Sequence, residues 1–246
     1  MDNNFEKLLC IFELIKNKGW IRSNTKSTGA IGITFERELG LFENHSFYPD
    51  YKDIEIKCSS KRTLYPLTLF SISFDGPGPR ELQRIVELYG YPDKTFKNQN
   101  VLNIQLSFRK SYLVNNKYYF NLEIDENNEK IYLVVRDIKR NVIDRISYIY
   151  FATIKNRLMT KMRNLAFVYG DCKYENNIFY FKYTDILLYT LKDFDVFLNL
   201  LKNDDVLTSI GYRINKSAKH FGKTSSKNIV FAINHNKISR LFNKIN

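Results

Sequence analysis

Residues 53–58 read DIEIKC, an alternation of polar and apolar positions that is typical of a β-strand with one buried face. The three apolar residues of this segment would point into a core, so Glu55 and Lys57 would share the opposite face. Pro49 cannot donate a ladder hydrogen bond, and it predicts a turn that leads into the strand and carries Asp50. The sequence therefore predicts two carboxylates and one ammonium held together by a turn and a rigid strand.

These three side chains suit the hydrolysis of a phosphodiester. Carboxylates hold a hard divalent cation, and an ammonium can orient the attacking water and offset negative charge that grows on the phosphate. The triplet acid-x-Lys alone is weak support, because it also occurs at 50–52, 137–139 and 171–173, and charged residues on strands usually just face water. The strongest competitor, at 137–139, follows a predicted strand but lacks an acidic residue in a turn upstream.

A glycine-containing stretch at 28–40 precedes the strand and strengthens this interpretation. Gly32 would allow close backbone approach at the start of a short helix, and Gly40 suits the end of that helix, which would carry Glu36. The full pattern consists of Gly29, Gly32, Glu36, Leu39 and Gly40, followed by Pro49-Asp50 and by Glu55-x-Lys57. In this combination the sequence resembles the MvaI/BcnI family of restriction endonucleases, in the MutH-like branch of the PD-(D/E)xK nucleases.

The resemblance implies a role for each matched acidic or basic position. Asp50 and Glu55 would be the direct metal ligands, Lys57 would orient the nucleophilic water, and Glu36 would be an auxiliary acid. The expected cofactor is Mg²⁺. Mn²⁺ would substitute for it, and Ca²⁺ would bind without supporting cleavage. No position of the motif is substituted in this chain.

The resemblance also implies an activity. A member of this family would be a type II restriction endonuclease, which hydrolyses double-stranded DNA at a specific sequence. The expected target has the form CC-N-GG, with A or T at the centre (CCWGG) and the cut before the central base. The expected enzyme is a monomer without an obligate protein partner. It would nick one strand in each binding event and then turn around for the other strand.

The order of predicted elements indicates an α/β fold with a mixed α+β sheet: a PD-(D/E)xK restriction-endonuclease-like core, a second DNA-recognition lobe, and a cleft between them. Predicted helices cover residues 5–15, 80–89, 144–163, 194–201 and 237–242, and predicted strands cover residues 67–74, 101–108, 117–124, 130–136, 165–169 and much of 177–191. We assign residues 1–175 to the catalytic lobe and residues 176–246 to the recognition lobe. The hairpin-rich portion at 95–140 is not assigned to either lobe.

The charge of the chain favours a polyanionic partner. Its 38 Lys and Arg against 26 Asp and Glu give a formal net charge of +12, which suits phosphate contacts and counterion release, although acidic membranes and anionic proteins are alternatives. The predicted helix at 5–15 is interrupted by charged residues, so we expect no targeting or membrane segment. Three scattered cysteines favour neither a disulfide framework nor a zinc site, and we expect a cytoplasmic prokaryotic protein.

The C-terminal part of the chain is the predicted DNA-reading region. No acidic residue follows Asp205, and the basic residues there are interleaved with Ser, Thr and Asn, which can bond phosphates or base edges. Residues 213–227 are predicted to form a loop or ribbon that enters the major groove. The predicted DNA-contacting residues are Lys61, Arg62, Arg213, Lys216, Lys219, His220, Lys223 and Lys227. The alternative is a solvated basic face around a terminal helix at 237–242.

Two other function classes remain open at the level of the sequence. A MutH-type mismatch-repair nicking endonuclease would use the same catalytic residues but would depend on repair partners. A non-catalytic DNA-binding module would carry the same acids merely as the border of a basic groove. Autonomous double-strand cleavage excludes the first alternative, and any metal-dependent cleavage excludes the second.

Overall fold

The computed structural model of the protein describes residues 3–27, 29–41, 47–60, 65–217 and 220–245. The helices are α1 (Asn3–Asn17), α2 (Ala30–Glu38), α3 (Glu81–Tyr89), α4 (Phe151–Met162), α5 (Phe194–Lys202) and α6 (Ile238–Leu241). The first ten strands are β1 (Ile21–Arg22), β2 (Ile54–Ser60), β3 (Leu67–Ile72), β4 (Tyr91–Pro92), β5 (Asn100–Leu106), β6 (Tyr112–Val114), β7 (Tyr118–Asp125), β8 (Lys130–Arg136), β9 (Val142–Asp144) and β10 (Tyr148–Tyr150). The last five are β11 (Asn164–Glu175), β12 (Ile178–Leu191), β13 (Val206–Ile214), β14 (Thr224–Ile233) and β15 (Phe242–Lys244).

In the described part of the chain, these strands form three sheets of five strands each. The first has the order β1-β12-β11-β2, with β15 also paired to β12. The second has the order β10-β8-β7-β6, with β9 also paired to β8, and the third has the order β3-β14-β13-β5-β4. The sheet pair β2–β11 is parallel, while β11–β12 is a long antiparallel hairpin. The mixed sheet that the sequence predicts is therefore confirmed.

The chain divides into two compact units, and each contains non-contiguous segments. The first unit comprises Met1–Leu67, Leu158–Asp193 and His235–Asn246, and the second comprises Thr68–Arg157 and Phe194–Asn234. These units do not coincide with the predicted lobes. The predicted boundary after residue 175 falls in the turn of the β11–β12 hairpin, whose strands pair from Asn164 to Glu175 and cannot be separated. The hairpin-rich portion at 95–140 belongs to the second unit.

The first unit is built on the sheet that contains β2. Helix α1 buries Phe5, Leu8, Phe12 and Ile15, the spacing of an amphipathic helix, as the sequence predicts. These side chains form one core with the inward residues of β2, β11 and β12. Phe35 of α2 joins the two layers: its ring lies 6.3 Å from that of Phe12 and 4.9 Å from that of Tyr183. Burial of these aromatic and aliphatic side chains stabilises this unit.

Two predicted helices are wrong in part. The helix predicted at 144–163 begins only at Phe151, because Tyr148–Tyr150 pairs as the edge strand β10 with β8, where aromatic residues pack well. The terminal helix predicted at 237–242 is reduced to Ile238–Leu241, since Phe242 starts β15 and pairs with Leu191 of β12. In both places pairing with a distant strand overrides the local helical pattern.

The remaining predicted elements are found close to their expected positions, including α3, α5, β5, β7 and β8. Within the described residues, no helix is sufficiently long and apolar to span a membrane.

Candidate active site

The strand β2 lies at the edge of the core as its alternating sequence predicts. Ile54 and Ile56 are buried in the hydrophobic core. The strand runs parallel to β11, with Leu165 opposite Glu55 and Phe167 opposite Lys57. The position of a side chain on β2 is therefore fixed, because the other face of the strand is packed in the core and its backbone is hydrogen-bonded to β11.

A tight turn returns Asp50 to this strand. The backbone of Tyr51 exchanges two hydrogen bonds with that of Ile54, of 2.8 and 3.0 Å, and Lys52 takes a φ of 54°. The turn brings the Asp50 carboxylate back along the chain, where its Oδ2 accepts a hydrogen bond from the Ile56 backbone N–H at 3.0 Å. Asp50 and Glu55 are thus drawn to the same end of β2.

The Asp53 carboxylate anchors the turn to its neighbours. It accepts one hydrogen bond from the Asn4 side-chain amide on α1 at 2.8 Å and another from that of Asn164 on β11 at 2.7 Å. Both of its oxygens are engaged in this way. We infer that Asp53 is structural and is not available to a ligand.

Glu55 and Lys57 meet on one face of β2. The Lys57 ammonium donates a hydrogen bond to Glu55 Oε1. The Glu55 side chain is fully buried, whereas that of Lys57 is 25% exposed. The ammonium therefore lies between the buried carboxylate and solvent. The alternation of the strand predicts that the two side chains share one face, but not that Glu55 is fully buried.

A second ammonium, which the sequence did not predict, reaches the other oxygen of Glu55. Lys161 lies in the last turn of α4, and its Nζ is 3.0 Å from Glu55 Oε2. The same Nζ donates a longer hydrogen bond of 3.4 Å to the backbone carbonyl of Tyr48. A single lysine in a helix carries no local signal, and only the pairing of β11 with β2 could have revealed it.

The electrostatics of Glu55 follow from these contacts. Burial raises the pKa of the Glu55 carboxyl above its ordinary value, and the nearby charge of Asp50 acts in the same direction. The ammonium groups of Lys57 and Lys161 oppose this rise. Perturbation of this kind is common where a carboxylate serves a function, although structural ion pairs also produce it.

Glu36 lies on α2, the helix that its glycine-flanked sequence predicts. Its carboxylate is directed towards β2: burial raises the pKa of the Cys58 thiol well above its ordinary value, and the charge of Glu36 adds to that rise. A methyl group built on Gly32 would lie 3.8 Å from Glu36 Oε1, so the glycine leaves room beside this carboxylate.

The residues present fit a magnesium-type ion. In the described ranges there is no cluster of three or more His, Cys, Asp or Glu side chains that could hold a metal, so the candidate ligands are the carboxylates of Asp50 and Glu55. Glu55 Oε2 is buried and accepts no hydrogen bond from a described residue, although Lys161 pairs with it electrostatically. Mg²⁺ binds through one or two carboxylates and keeps several waters, so two such oxygens suffice.

The competing triplet at 137–139 has a structural role. The Asp137 carboxylate accepts hydrogen bonds from the backbone N–H groups of Lys139 and Asn141, at 2.8 and 2.9 Å, and closes an exposed turn between β8 and β9. A hydrogen bond from the Asn141 side-chain amide lowers the pKa of Asp137, and the two backbone hydrogen bonds lower it further. The context of the triplet, and not the triplet itself, distinguishes it from the one on β2.

The predicted DNA-contacting residues fall into two groups. Arg213, Lys216, His220 and Lys223 are exposed on or between the paired strands β13 and β14, so the predicted ribbon at 213–227 is a β-hairpin. Lys216 also pairs with Asp93 at 3.4 Å. The remaining predictions cannot be located: Lys61, Arg62 and Lys219 lie outside the described residues, as does the side chain of Lys227.

A second loop, for which the sequence predicts no DNA contact, packs against this hairpin in the second unit. The ring of Phe96 lies 5.2 Å from that of the exposed Phe221, and the loop at 93–99 carries the exposed residues Lys94 and Lys97. Asp93 shapes the loop by accepting hydrogen bonds from the backbone N–H groups of residues 95 and 96. An Asp followed by a turn was the only local signal.

Comparison with known proteins decides the family. The model of the MvaI/BcnI restriction endonuclease family matches residues 9–242. The chain belongs to the MvaI/BcnI restriction endonuclease family. Like its relatives, this family member is a site-specific deoxyribonuclease, and the predicted enzyme class is confirmed. Restriction endonucleases generally need a divalent metal ion, which agrees with the carboxylates of Asp50, in the turn before β2, and of Glu55 on β2.

Solved structures agree with the family match. The chain is similar to restriction endonuclease MvaI in a complex with its cognate DNA substrate, with 27% identity and a TM-score of 0.91, over 100% of this chain and 98% of that one. It is also similar to MvaI in the absence of DNA, with 26% identity and a TM-score of 0.61 over the same shares of the two chains. Among curated protein sequences, the comparison finds no match. These findings support DNA binding and favour a restriction enzyme over a repair nickase or a non-catalytic module.

Proposed function

We propose that this MvaI/BcnI family enzyme cleaves duplex DNA with Mg²⁺ held by Asp50 and Glu55. The observation that carries the proposal is the convergence of both carboxylates and Lys57 at one end of β2. When bound, the metal ion supplies Lewis-acid polarisation of the phosphate and stabilises charge on the leaving oxygen. Mn²⁺ would substitute, and Ca²⁺ would bind without supporting cleavage.

Lys57 is proposed to orient the attacking water. Its ammonium is hydrogen-bonded to buried Glu55 yet is itself part-exposed, so it faces the side from which water and DNA approach. A positive charge in this position also offsets the negative charge that develops on the phosphate. Glu36, on the neighbouring helix, is proposed as an auxiliary acid that adjusts the charge around this group.

Substitution of Lys57 tests the catalytic assignment. In Lys57→Ala and in Asp50→Ala, cleavage of plasmid DNA in Mg²⁺ is expected to fall by at least about a thousandfold, because transition-state stabilisation and metal binding are lost. Binding of a cognate duplex in Ca²⁺ by Lys57→Ala is expected to stay close to wild type. The matched control is Lys139→Ala in the triplet at 137–139, whose lysine is exposed at a turn. Retained cutting by Lys57→Ala would refute the role of this residue.

We propose further that the enzyme acts as a monomer on a CC-N-GG site, with A or T at the centre and the cut before the central base. Family membership supports this proposal. A plasmid with one such site is expected to pass through a nicked intermediate, since one centre cuts one strand at a time. End mapping of the products gives the sequence and position of the cut. Linear product without any nicked species at limiting enzyme, or cut ends at an unrelated sequence, would contradict it.

The hairpin β13–β14 is proposed to read DNA through Arg213, Lys216, His220 and Lys223. The exposure of these side chains and the absence of acidic residues after Asp205 support the proposal. Lys61, Arg62, Lys219 and Lys227 remain part of it on the basis of sequence alone. We also propose that the enzyme acts in the prokaryotic cytoplasm, in keeping with three free cysteines.

A further inference from the structure

The buried carboxylate of Glu55 has a separate ammonium at each of its oxygens. Lys57 donates a hydrogen bond to Oε1, and Lys161 Nζ lies 3.0 Å from Oε2. The hydrogen bond from Lys57 therefore satisfies Oε1. Oε2 has an ion pair but accepts no hydrogen bond from any residue in the described ranges, so the Lys161 ammonium is close without being aligned.

The fold holds Lys161 in this place from two sides. Helix α4 ends at Met162, and β11 begins at Asn164 and pairs with β2 in parallel, which brings the last turn of the helix to the start of β2. The side chain of Lys161 is only 14% exposed. Its hydrogen bond to the Tyr48 carbonyl holds it against the segment that precedes Asp50. An ammonium so enclosed is part of the site and not a mobile surface charge.

Lys161 occupies the space beside Glu55 Oε2, where a cation bound to that oxygen would also lie. Asp50 and Glu55 contribute two negative charges, and Lys57 and Lys161 contribute two positive ones, so these four side chains together carry no net charge. A divalent ion at Glu55 Oε2 would be repelled by an ammonium a few ångströms away, and this repulsion is strong where little water screens it.

We propose that Lys161 is a positioning residue of the metal site, which holds the place of the divalent ion at Glu55 Oε2 until the ion displaces it. In the metal-free enzyme it keeps the buried carboxylate compensated and fixed. It also weakens the affinity of the site for metal, because the ion must compete with it. This inference rests on the proposed role of Asp50 and Glu55 as metal ligands.

The test is a titration of the full-length, DNA-free enzyme with Mn²⁺, in which the electron paramagnetic resonance signal of the free ion gives the bound fraction. Lys161→Gln removes the charge but keeps a hydrogen-bonding side chain. It is expected to lower the Kd for Mn²⁺ by about tenfold or more. Lys161→Arg keeps the charge and is expected to stay within about threefold of wild type.

The matched control is Lys155→Gln. Lys155 is an exposed lysine on the same helix, so this variant makes the same change in net charge away from the site. It is expected to leave the Kd unchanged. Lys161→Met, which removes the charge but keeps a long unbranched stem, is a second neutral variant should Lys161→Gln not fold. A merely structural role of Lys161 would weaken metal binding on substitution, which is the opposite direction.

The outcomes separate this inference from the proposed function. If wild-type enzyme binds Mn²⁺ and Glu55→Gln abolishes that binding, the metal site is supported. An unchanged or higher Kd in folded Lys161→Gln or Lys161→Met then overturns the role of Lys161 alone. If Glu55→Gln binds Mn²⁺ as wild type does, the metal ligands themselves are wrongly assigned and both proposals fail.

Discussion

Gly90, directly after helix α3, shows how a single backbone position can be restricted by its neighbours. A methyl group built on its Cα would lie 2.4 Å from the Val86 carbonyl oxygen and 2.8 Å from that of Val101. Both atoms belong to the backbone and cannot rotate away. The φ of Gly90 is −70°, which any residue can adopt, so the restriction is steric and does not come from the left-handed conformation.

Gly90→Ala is therefore expected to destabilise the protein by about 2–4 kcal/mol, through displacement of α3 or β5. The measurement is the free energy of unfolding in urea. Gly78→Ala is the matched control: no atom lies within 4 Å of the added methyl group and its φ is not positive, so a change below about 0.5 kcal/mol is expected. Equal stability of the two variants would show that the backbone around Gly90 yields easily.

At the scale of elements, a polar network joins α3 to the segment between β9 and β10. The Arg84 guanidinium donates hydrogen bonds to Glu81 at 2.5 and 2.8 Å, to Asp144 at 2.7 Å and to Ser147 at 3.0 Å. Tyr89 donates a further hydrogen bond of 3.0 Å to Asp144. Hydrogen bonds to charged groups are stronger than those between neutral groups. Several of them together fix the position of α3 relative to this segment.

Loss of the Asp144 charge is expected to destabilise this joint. Burial alone would raise the pKa of Asp144, but hydrogen bonds from Arg84, the Ile146 N–H and Tyr89 outweigh it and the pKa is lowered. A carboxylate with a lowered folded-state pKa stabilises the protein above its unfolded pKa of about 3.9, and this contribution is lost as pH falls through the folded-state value.

Asp144→Asn is accordingly expected to cost about 2 kcal/mol at pH 7, with a difference from wild type that shrinks below pH ~4. Urea unfolding at a series of pH values measures this. Asp137→Asn, in an exposed turn, is expected to change the stability less than Asp144→Asn does. A difference that stays constant down to pH ~2 would contradict the assignment of the effect to the Asp144 charge.

At the scale of the whole molecule, the net charge of +12 makes DNA affinity dependent on salt. For a non-specific duplex, Lys223→Ala on the β13–β14 hairpin is expected to reduce the slope of log K against log salt concentration by about one, as loss of one phosphate contact requires. Lys7→Ala, exposed on α1, carries the same change in net charge and is expected to leave the slope unaltered. Fluorescence anisotropy at salt concentrations between about 50 and 300 mM measures both slopes. Equal slopes for the two variants would remove Lys223 from the interface.

The sequence predicts those parts of the site that are close together along the chain. Asp50, Glu55 and Lys57 lie within eight successive positions, and their arrangement follows from one turn and one alternating strand. Lys161 reaches Glu55 only through the pairing of β11 with β2, which joins residues more than a hundred positions apart. A pairing over a shorter separation, between β10 and β8, shortened a predicted helix. Local patterns cannot report such contacts.

The division into two units has no local signal in the sequence for a related reason. The chain leaves the first unit after Leu67, returns to it at Leu158 and returns again at His235. Each unit contains its own buried strands and exposed basic residues, so neither feature marks the points at which the chain crosses between units. A boundary inferred from the basic C-terminal part therefore fell inside a hairpin.

The alternation along β2 has a further consequence for folding. Opposite faces of a strand exchange roles whenever its alignment with a neighbour slips by one position. Such a slip against β11 would turn Lys57 towards the interior and Ile56 towards water. A chain misaligned there would be unstable as well as inactive. The alternation that places the catalytic side chains therefore also disfavours a stable but inactive form of the protein.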